Sequence, residues 1–351
     1  MAAGLLTRDQ VHSILSLYYL EGPDAFGHLL DHGGHADGTG RNTYWVRVDG
    51  LEYVLRLVHR KTVDDMLHEK ELLLHVERAG MTIPRLMQNV ARGSFTPWAR
   101  RGRFVSLFRY PPGRGLGRFE IRPHHAEAVG AWLARFHLAA RDFPRRRKLT
   151  GAFDELEKGL ERAERALERH RLARRHRRGV QVIRHHLEQV RLVEQFPVSM
   201  GILHGGLGLS AVRFLQNELT GAADLDAAGY GPWLRDLAYM VQEWCWRPEV
   251  AQHGGPAGAY DPDLVVASMA GYHGVRPLTS EEQRLFPRFV QLASVREATC
   301  RLLDNELKRR PRRHHPYRDY RHYVARLEAS CPAVRRLQSR PASLVRTHQG
   351  S

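Results

Sequence analysis

The chain has 351 residues, 42% of them hydrophobic, enough to bury the core of one large or two ordinary domains. No apolar run reaches the length of about 18 residues that a membrane helix needs, and the N-terminus lacks the features of a signal peptide, so a soluble, cytoplasmic protein is expected. The three cysteines, Cys245, Cys300 and Cys331, are widely separated and odd in number, and indicate neither a disulfide framework nor a zinc site.

The first predicted element is a helix. Thr7-Arg8-Asp9-Gln10 reads as a capping box, and Val11, Ile14, Leu15, Tyr18 and Tyr19 recur on one face after it. A glycine-rich stretch (Gly33, Gly34, Gly38, Gly40) leads into Asn42 to Val48, then Asp49-Gly50, then Tyr53 to Leu57, and alternation on both sides of Asp-Gly predicts a hairpin. A helix from about Thr62 to Ala79 follows, ending at Gly80 before Ile83-Pro84. Phe104 to Phe108 reads as a strand, and Tyr110-Pro111-Pro112-Gly113 as a linker.

Beyond the linker the texture is mostly helical. His125 to Ala140 carries Val129, Trp132, Leu133 and Phe136 at helical spacing, and Phe153 to Val193 alternates Glu and Arg as exposed, charge-paired helices do. His204 to Asp226 breaks that texture with glycines and short apolar runs, as a loop, a hairpin and a metal-binding corner do. From Trp233 helices are expected to the C-terminus. The chain has no internal repeat.

The formal net charge of +16 concentrates in Arg145 to Lys148, Arg174 to Arg178 and Lys308 to Arg313. Such a field attracts polyanions, and an acidic partner is one reading. The favoured reading is an arginine-biased composition on solvated helix ends and loops, because no aromatic interleaving accompanies the clusters. His32-Gly33-Gly34-His35 lacks further ligands and reads as a glycine loop. The pairs His124-His125, His185-His186 and His314-His315 are expected to be solvated, in a chain with 21 histidines.

Three separated features fall in the order that a phosphotransferase of the protein-kinase-like fold requires. A glycine-containing hairpin can lie over a nucleotide, and the strand leaving it supplies a cation, Arg56, held by an acid on the next helix, Glu69. A loop should then supply a base and a metal-binding amide. One hairpin later an aspartate should bind magnesium, and Asp224 in Gly221-Ala222-Ala223-Asp224-Leu225-Asp226 stands at that place.

The chain resembles the aminoglycoside-phosphotransferase and choline-kinase-like superfamily, and within it bacterial type II homoserine kinases, nearly end to end. The segments that carry the likeness are Glu127 to Ala139 with Asp142-Phe143-Pro144, Asn42-Thr43-Tyr44, Leu219-Thr220-Gly221, Arg235-Asp236-Leu237-Ala238, Trp244-Cys245 and Gly271 to Leu278. The resemblance implies an α+β, bilobal protein-kinase-like fold, with a small antiparallel-sheet N-lobe over residues 1–110 and a large helical C-lobe over 111–338. A helical insert is expected at about 145–197 and a flexible tail at 339–351. It also implies ATP and magnesium as cofactors, Asn42, Thr43, Arg56 and Glu69 as nucleotide-binding residues, and Asp224 as a metal ligand.

The departure lies at the centre of the site. The family pattern is His-x-Asp with Asn five residues later, where Asp orients and deprotonates the acceptor hydroxyl and Asn binds magnesium. This chain has His204, Gly206 at the Asp position and Ala211 at the Asn position. Glycine and alanine can do neither task, and a positioned base is worth on the order of a hundred- to ten-thousand-fold in rate. Asp226 is a candidate substitute, and Ser210 a weaker one.

The expected function is therefore a homoserine-kinase-like pseudokinase that binds a nucleotide or small metabolite with transfer lost or strongly reduced. The alternatives are an active ATP-dependent kinase acting on a hydroxyl of an amino acid or amino alcohol such as homoserine, a nucleotidyl transferase, and a basic module for an acidic partner.

Overall fold

The computed structural model describes residues 6–28, 43–59, 61–98, 103–144, 153–169, 173–191, 193, 196–249, 257–302 and 321–327. The glycine-rich stretch with His32 and His35, Asn42, the basic runs 145–148 and 308–313, His314-His315, Cys331 and the C-terminal tail lie outside them.

Helix α1 (Arg8–Ser16) starts at the expected capping box, in which Thr7 and Gln10 satisfy each other's backbone N–H groups, and it buries Val11, Ile14 and Leu15. Strands β1 (Ala25–His28), β2 (Thr43–Val48) and β3 (Leu51–His59) follow. Between β2 and β3, Asp49 and Gly50 both take positive φ, 49° and 71°, which is the geometry a two-residue hairpin turn demands. Helix α2 (Val63–Arg78) is capped by Thr62 and Asp65. Strands β4 (Arg85–Leu86), β5 (Thr96–Pro97) and β6 (Arg103–Arg109) complete a sheet of order β1-β2-β3-β6-β4, with β5 also on β6, and every pairing is antiparallel.

Helix α3 (Pro123–Ala139) comes next, then α4 (Phe153–Arg169) and α5 (Ala173–Val190), where Arg184 forms a two-pronged ion pair with Glu164. Strand β7 (Met200–Leu203) leads to a single 3₁₀ turn at Leu209–Ala211, and then to the hairpin β8 (Val212–Leu215) and β9 (Glu218–Ala222). Gln216 and Asn217 turn that hairpin with φ of 49° and 71°. After β10 (Gly229–Pro232), which pairs with β7, come α6 (Trp233–Trp244), β11 (Trp246–Glu249), β12 (Ala257–Tyr260), α7 (Pro262–Val275) and α8 (Ser280–Arg301). The β11–β12 hairpin interrupts a region expected to be helical throughout; Trp246 and Tyr260, cross-strand partners in it, are both buried and meet edge to face.

These elements form two compact units, an α+β one and a mainly helical one. The first gathers the N-terminal sheet, α1 and α2, and also residues Leu209–Asp226 with the β8–β9 hairpin. Its core joins Val11, Ile14 and Leu15 to Tyr44, Val46, Leu55, Val105 and Leu107. In the second unit, α3 and α7 cross closely enough that a Cβ on Gly271 would strike the backbone of Glu127, and one on Gly130 the carbonyl of Ser268. Two of the paired histidines are buried, contrary to the expectation of solvated rings. His125 accepts the Arg122 N–H at 3.1 Å as part of the α3 cap, and His186 lies 2.6 Å from the Gln291 amide.

Candidate functional site

Within the sheet-bearing unit, strand register places Thr43 directly opposite Arg56 on the β2–β3 pair. Arg56 reaches α2, where one guanidinium nitrogen lies 2.7 Å from each carboxylate oxygen of Glu69, and its plane sits 4.9 Å from the Phe108 ring centre. The Arg56 Nε is buried with no hydrogen-bond partner among the described residues. Burial works against the Arg56 charge, but Glu69, Asp226 and Asp224 outweigh it and hold the guanidinium protonated, above its ordinary value.

Lys61, which the sequence reading passed over, joins this cluster. Its ammonium lies 3.6 Å from Glu69 Oε2 and 3.5 Å from Asp226 Oδ2, and donates to the Asp226 carbonyl at 3.1 Å. The signal was faint, because Lys61 precedes an N-cap and looks like a lysine in a turn. Two cations and two carboxylates therefore interlock, and Asp226 is already engaged by Lys61.

The β8–β9 hairpin sets the corner at which a metal ligand was expected. Val212 pairs with Ala222, and the Ala223 N–H donates to the Ala211 carbonyl at 2.7 Å, so Ala211 lies beside the residue that precedes Asp224. Asp224 is exposed and has φ of 76°, a left-handed conformation unusual for a residue with a side chain. Tyr110 shares this environment; burial, then the charge of Asp224, pushes its hydroxyl pKa up. A magnesium ion takes one or two protein carboxylates and completes its shell with phosphate oxygens and water. Asp224 fits the first part of that requirement, and Ala211 offers no second side-chain donor. No group of three or more His, Cys, Asp or Glu able to hold a metal occurs among the described residues.

In the helical unit the loop after β7 hangs on one buried carboxylate. Asp236, on the first turn of α6, accepts the backbone N–H of His204 at 2.5 Å and of Gly205 at 3.0 Å, and His137 Nε2 lies 3.1 Å away. His137 Nδ1 lies 2.8 Å from the Tyr272 hydroxyl. Burial would raise the Asp236 pKa, but the bonds from His137 and the Gly205 amide overcome it and hold the carboxyl below its usual range. Burial pushes the His137 pKa down against the pull of Asp236. A neutral imidazole satisfies both neighbours, donating from Nε2 to Asp236 and accepting at Nδ1 from Tyr272.

His204 itself is fully buried, its ring edge-on to Trp132 and Phe136. It is a packing residue whose backbone Asp236 fixes. Gly205 has φ of 86° and abuts the Ala227 carbonyl, which only glycine tolerates. Gly206 differs: a Cβ there would meet nothing within 4 Å. Its carbonyl accepts the Gly208 N–H at 2.7 Å, and Leu207 is tied to α6 by the Trp244 indole at 3.2 Å. The loop is thus ordered by its backbone, with open space beside Gly206. Asp236 and His137 stand 99 residues apart in the chain, so their contact is not legible in the sequence.

Comparison with known proteins adds an independent line. A family model described as the phosphotransferase enzyme family matches residues 33–278. The homoserine kinase of Methylobacillus glycogenes is 26% identical over 293 residues, covering 82% of this chain and 83% of that protein. Among solved structures, an amicoumacin kinase in complex with AMP-PNP, Ca2+ and Ami aligns with a TM-score of 0.65 at 16% identity, over 98% of this chain and 96% of that one. A microcompartment-associated aminopropanol kinase aligns with a TM-score of 0.59 at 15% identity, over 95% and 98%.

Proposed function

The chain belongs to the phosphotransferase enzyme family, as a homoserine-kinase-like member, and from that premise we propose that it binds a magnesium nucleotide while its phosphoryl transfer is lost or strongly reduced. The observation that carries this reading is Gly206: Asp236 holds the loop backbone, and no carboxylate stands on the loop. Ala211 removes the second side-chain ligand.

In this reading Arg56 meets the nucleotide phosphates, kept charged by Glu69 and carrying a buried N–H in want of an acceptor. Thr43 stands opposite Arg56 on the neighbouring strand, and Asn42 lies outside the described residues. Asp224 would hold the metal through its carboxylate, with phosphate oxygens and water completing the shell; the metal supplies charge neutralisation between the phosphates. Lys61 keeps Asp226 paired, which argues against Asp226 as a replacement base. The known neighbour solved with AMP-PNP and Ca2+ supports a nucleotide and a divalent ion as the ligands to test.

Thermal unfolding with and without magnesium and a non-hydrolysable ATP analogue tests this directly. Ligand at a hundred times its Kd stabilises by about 2.7 kcal/mol, a readily measured rise in Tm, and Asp224→Ala should abolish it. No shift in the parent protein sinks the nucleotide reading. For transfer, Gly206→Asp with Ala211→Asn should raise turnover from background by on the order of a hundredfold or more.

A second reading has its own support, since the relatives with the matching length are named homoserine kinases. Phosphoryl transfer rests mostly on positioning and charge neutralisation, so a slow kinase acting on homoserine or a related hydroxy compound is the rival. Turnover of L-homoserine with magnesium and ATP in the unmodified protein, removed by Asp224→Ala, establishes the rival over the pseudokinase.

A further inference from the structure

Lys61 does more to the corner at Asp224 than engage one carboxylate. It stands immediately before Thr62, the N-cap of α2. Its ammonium donates to the Asp226 carbonyl at 3.1 Å and lies 3.5 Å from Asp226 Oδ2 and 3.6 Å from Glu69 Oε2. Asp226 sits in a 3₁₀ turn, Leu225–Ala227, which begins at the residue after Asp224. One lysine thus ties the start of α2 to the turn that follows the expected metal ligand. The Lys61 side chain is 17% exposed and that of Asp226 34%, so water screens the pair less than it would on an open surface.

Charge is the property that Lys61 alters most. Arg56 and Lys61 bring two positive charges to this cluster, and Glu69, Asp226 and Asp224 bring three negative ones. Both aspartates act on the Arg56 guanidinium, so the five side chains share one electrostatic neighbourhood, with one net negative charge among them. Without Lys61 that becomes two. A divalent ion binds hard oxygen ligands through their negative charge, and a fixed ammonium beside those oxygens repels it. Ala211 has no side-chain donor with which to compensate.

We propose that Lys61 is a built-in counter-cation that suppresses divalent-ion binding at Asp224 in the nucleotide-free protein, so that metal and nucleotide enter together. This rests on the reading of Asp224 as the metal ligand of a nucleotide site. The phosphates of a nucleotide carry more negative charge than one lysine offsets, and they supply oxygens that the protein lacks at Ala211. Lys61 is a positioning residue in this scheme. It acts through its charge and through its hold on Asp226, not by contact with the ion.

Manganese binding to the full chain without nucleotide, followed through the paramagnetic resonance signal of the free ion, tests this with a cycle of variants. Lys61→Met should tighten Mn2+ on the order of tenfold, the worth of one unit charge close to a divalent ion in a partly screened site. Lys61→Gln, which keeps a donor for the Asp226 carbonyl, should do the same, and Lys61→Arg should behave as the parent. Asp226→Asn should weaken Mn2+, and Lys61→Met with Asp226→Asn should return to the parent affinity. A merely structural lysine predicts the opposite sign: weaker binding in Lys61→Met, not restored in the double variant. Unchanged or weaker Mn2+ binding in both Lys61→Met and Lys61→Gln, or a tightening that survives Asp224→Ala, overturns the proposal. Magnesium alone should leave the parent Tm unchanged and raise that of Lys61→Met; a rise in the parent overturns joint entry. Tightening by Lys61→Met in a protein whose Tm ignores the ATP analogue would uphold the counter-cation and remove the nucleotide site instead.

Discussion

At the scale of single residues, the chain separates support from chemistry. Glu69 is the clearest supporting residue, since it receives Arg56 at 2.7 Å and lies 3.6 Å from Lys61 while itself almost fully buried. Removing one member of a buried pair strands the other charge, which costs about 3–5 kcal/mol. Glu69→Ala should therefore lower the unfolding free energy, read from urea denaturation, by an amount near the bottom of that range, because Asp226 and Asp224 still attract Arg56. Glu69→Gln retains an acceptor and should cost less. An unchanged midpoint in Glu69→Ala would show that the pair does not anchor Arg56. The pairing of Arg56 with Glu69 was legible in the sequence because a cation on a strand and an acid on the following helix recur at that spacing. Lys61 was not legible, because its partners include Asp226, 165 residues away.

Elements carry the next level of specification. Caps, alternation and the Asp-Gly turn placed α1, β2, β3 and α2 within a residue or two, since each is set by interactions a few residues apart. The β11–β12 hairpin escaped, because its strands are four residues each and take their stability from burying Trp246 and Tyr260. Helix α7 shows how one residue type plays opposite parts on a single element. Gly271 lies against the Glu127 backbone, whereas Gly274 has nothing within 4 Å of a Cβ. Gly271→Ala should destabilise by about 1–3 kcal/mol through overpacking. Gly274→Ala should be neutral or stabilising by up to about 1 kcal/mol, from helix propensity. Denaturation midpoints of the two variants should move apart, and equal effects would contradict the close crossing of α3 and α7.

For the whole molecule, the buried polar chain Tyr272, His137 and Asp236 links α7, α3 and α6 and ties stability to pH. The unfolded chain protonates histidine with a pKa of about 6.5, while folded His137 is held lower. Between those values the unfolded chain binds more protons, so stability present above about pH 6.5 is lost as pH falls. Asp236, also held low, adds a second loss only at more acid pH, through the carboxylate range. Tm should therefore decline more steeply from pH 7 to pH 5 in the parent than in His137→Gln, and identical slopes would exclude His137 as a source. What the sequence by itself determined was the kind of fold, the Arg56 and Glu69 pair, and the residue types present at Asp224, Gly206 and Ala211. All of these follow from local periodicity and from residue types in a fixed order. Only the tertiary structure decided that Asp236 holds the loop backbone, that Lys61 occupies Asp226, and that Gly206 faces open space. The reason is physical: chain order fixes which groups are present, while burial and packing between distant helices and strands fix which of them meet.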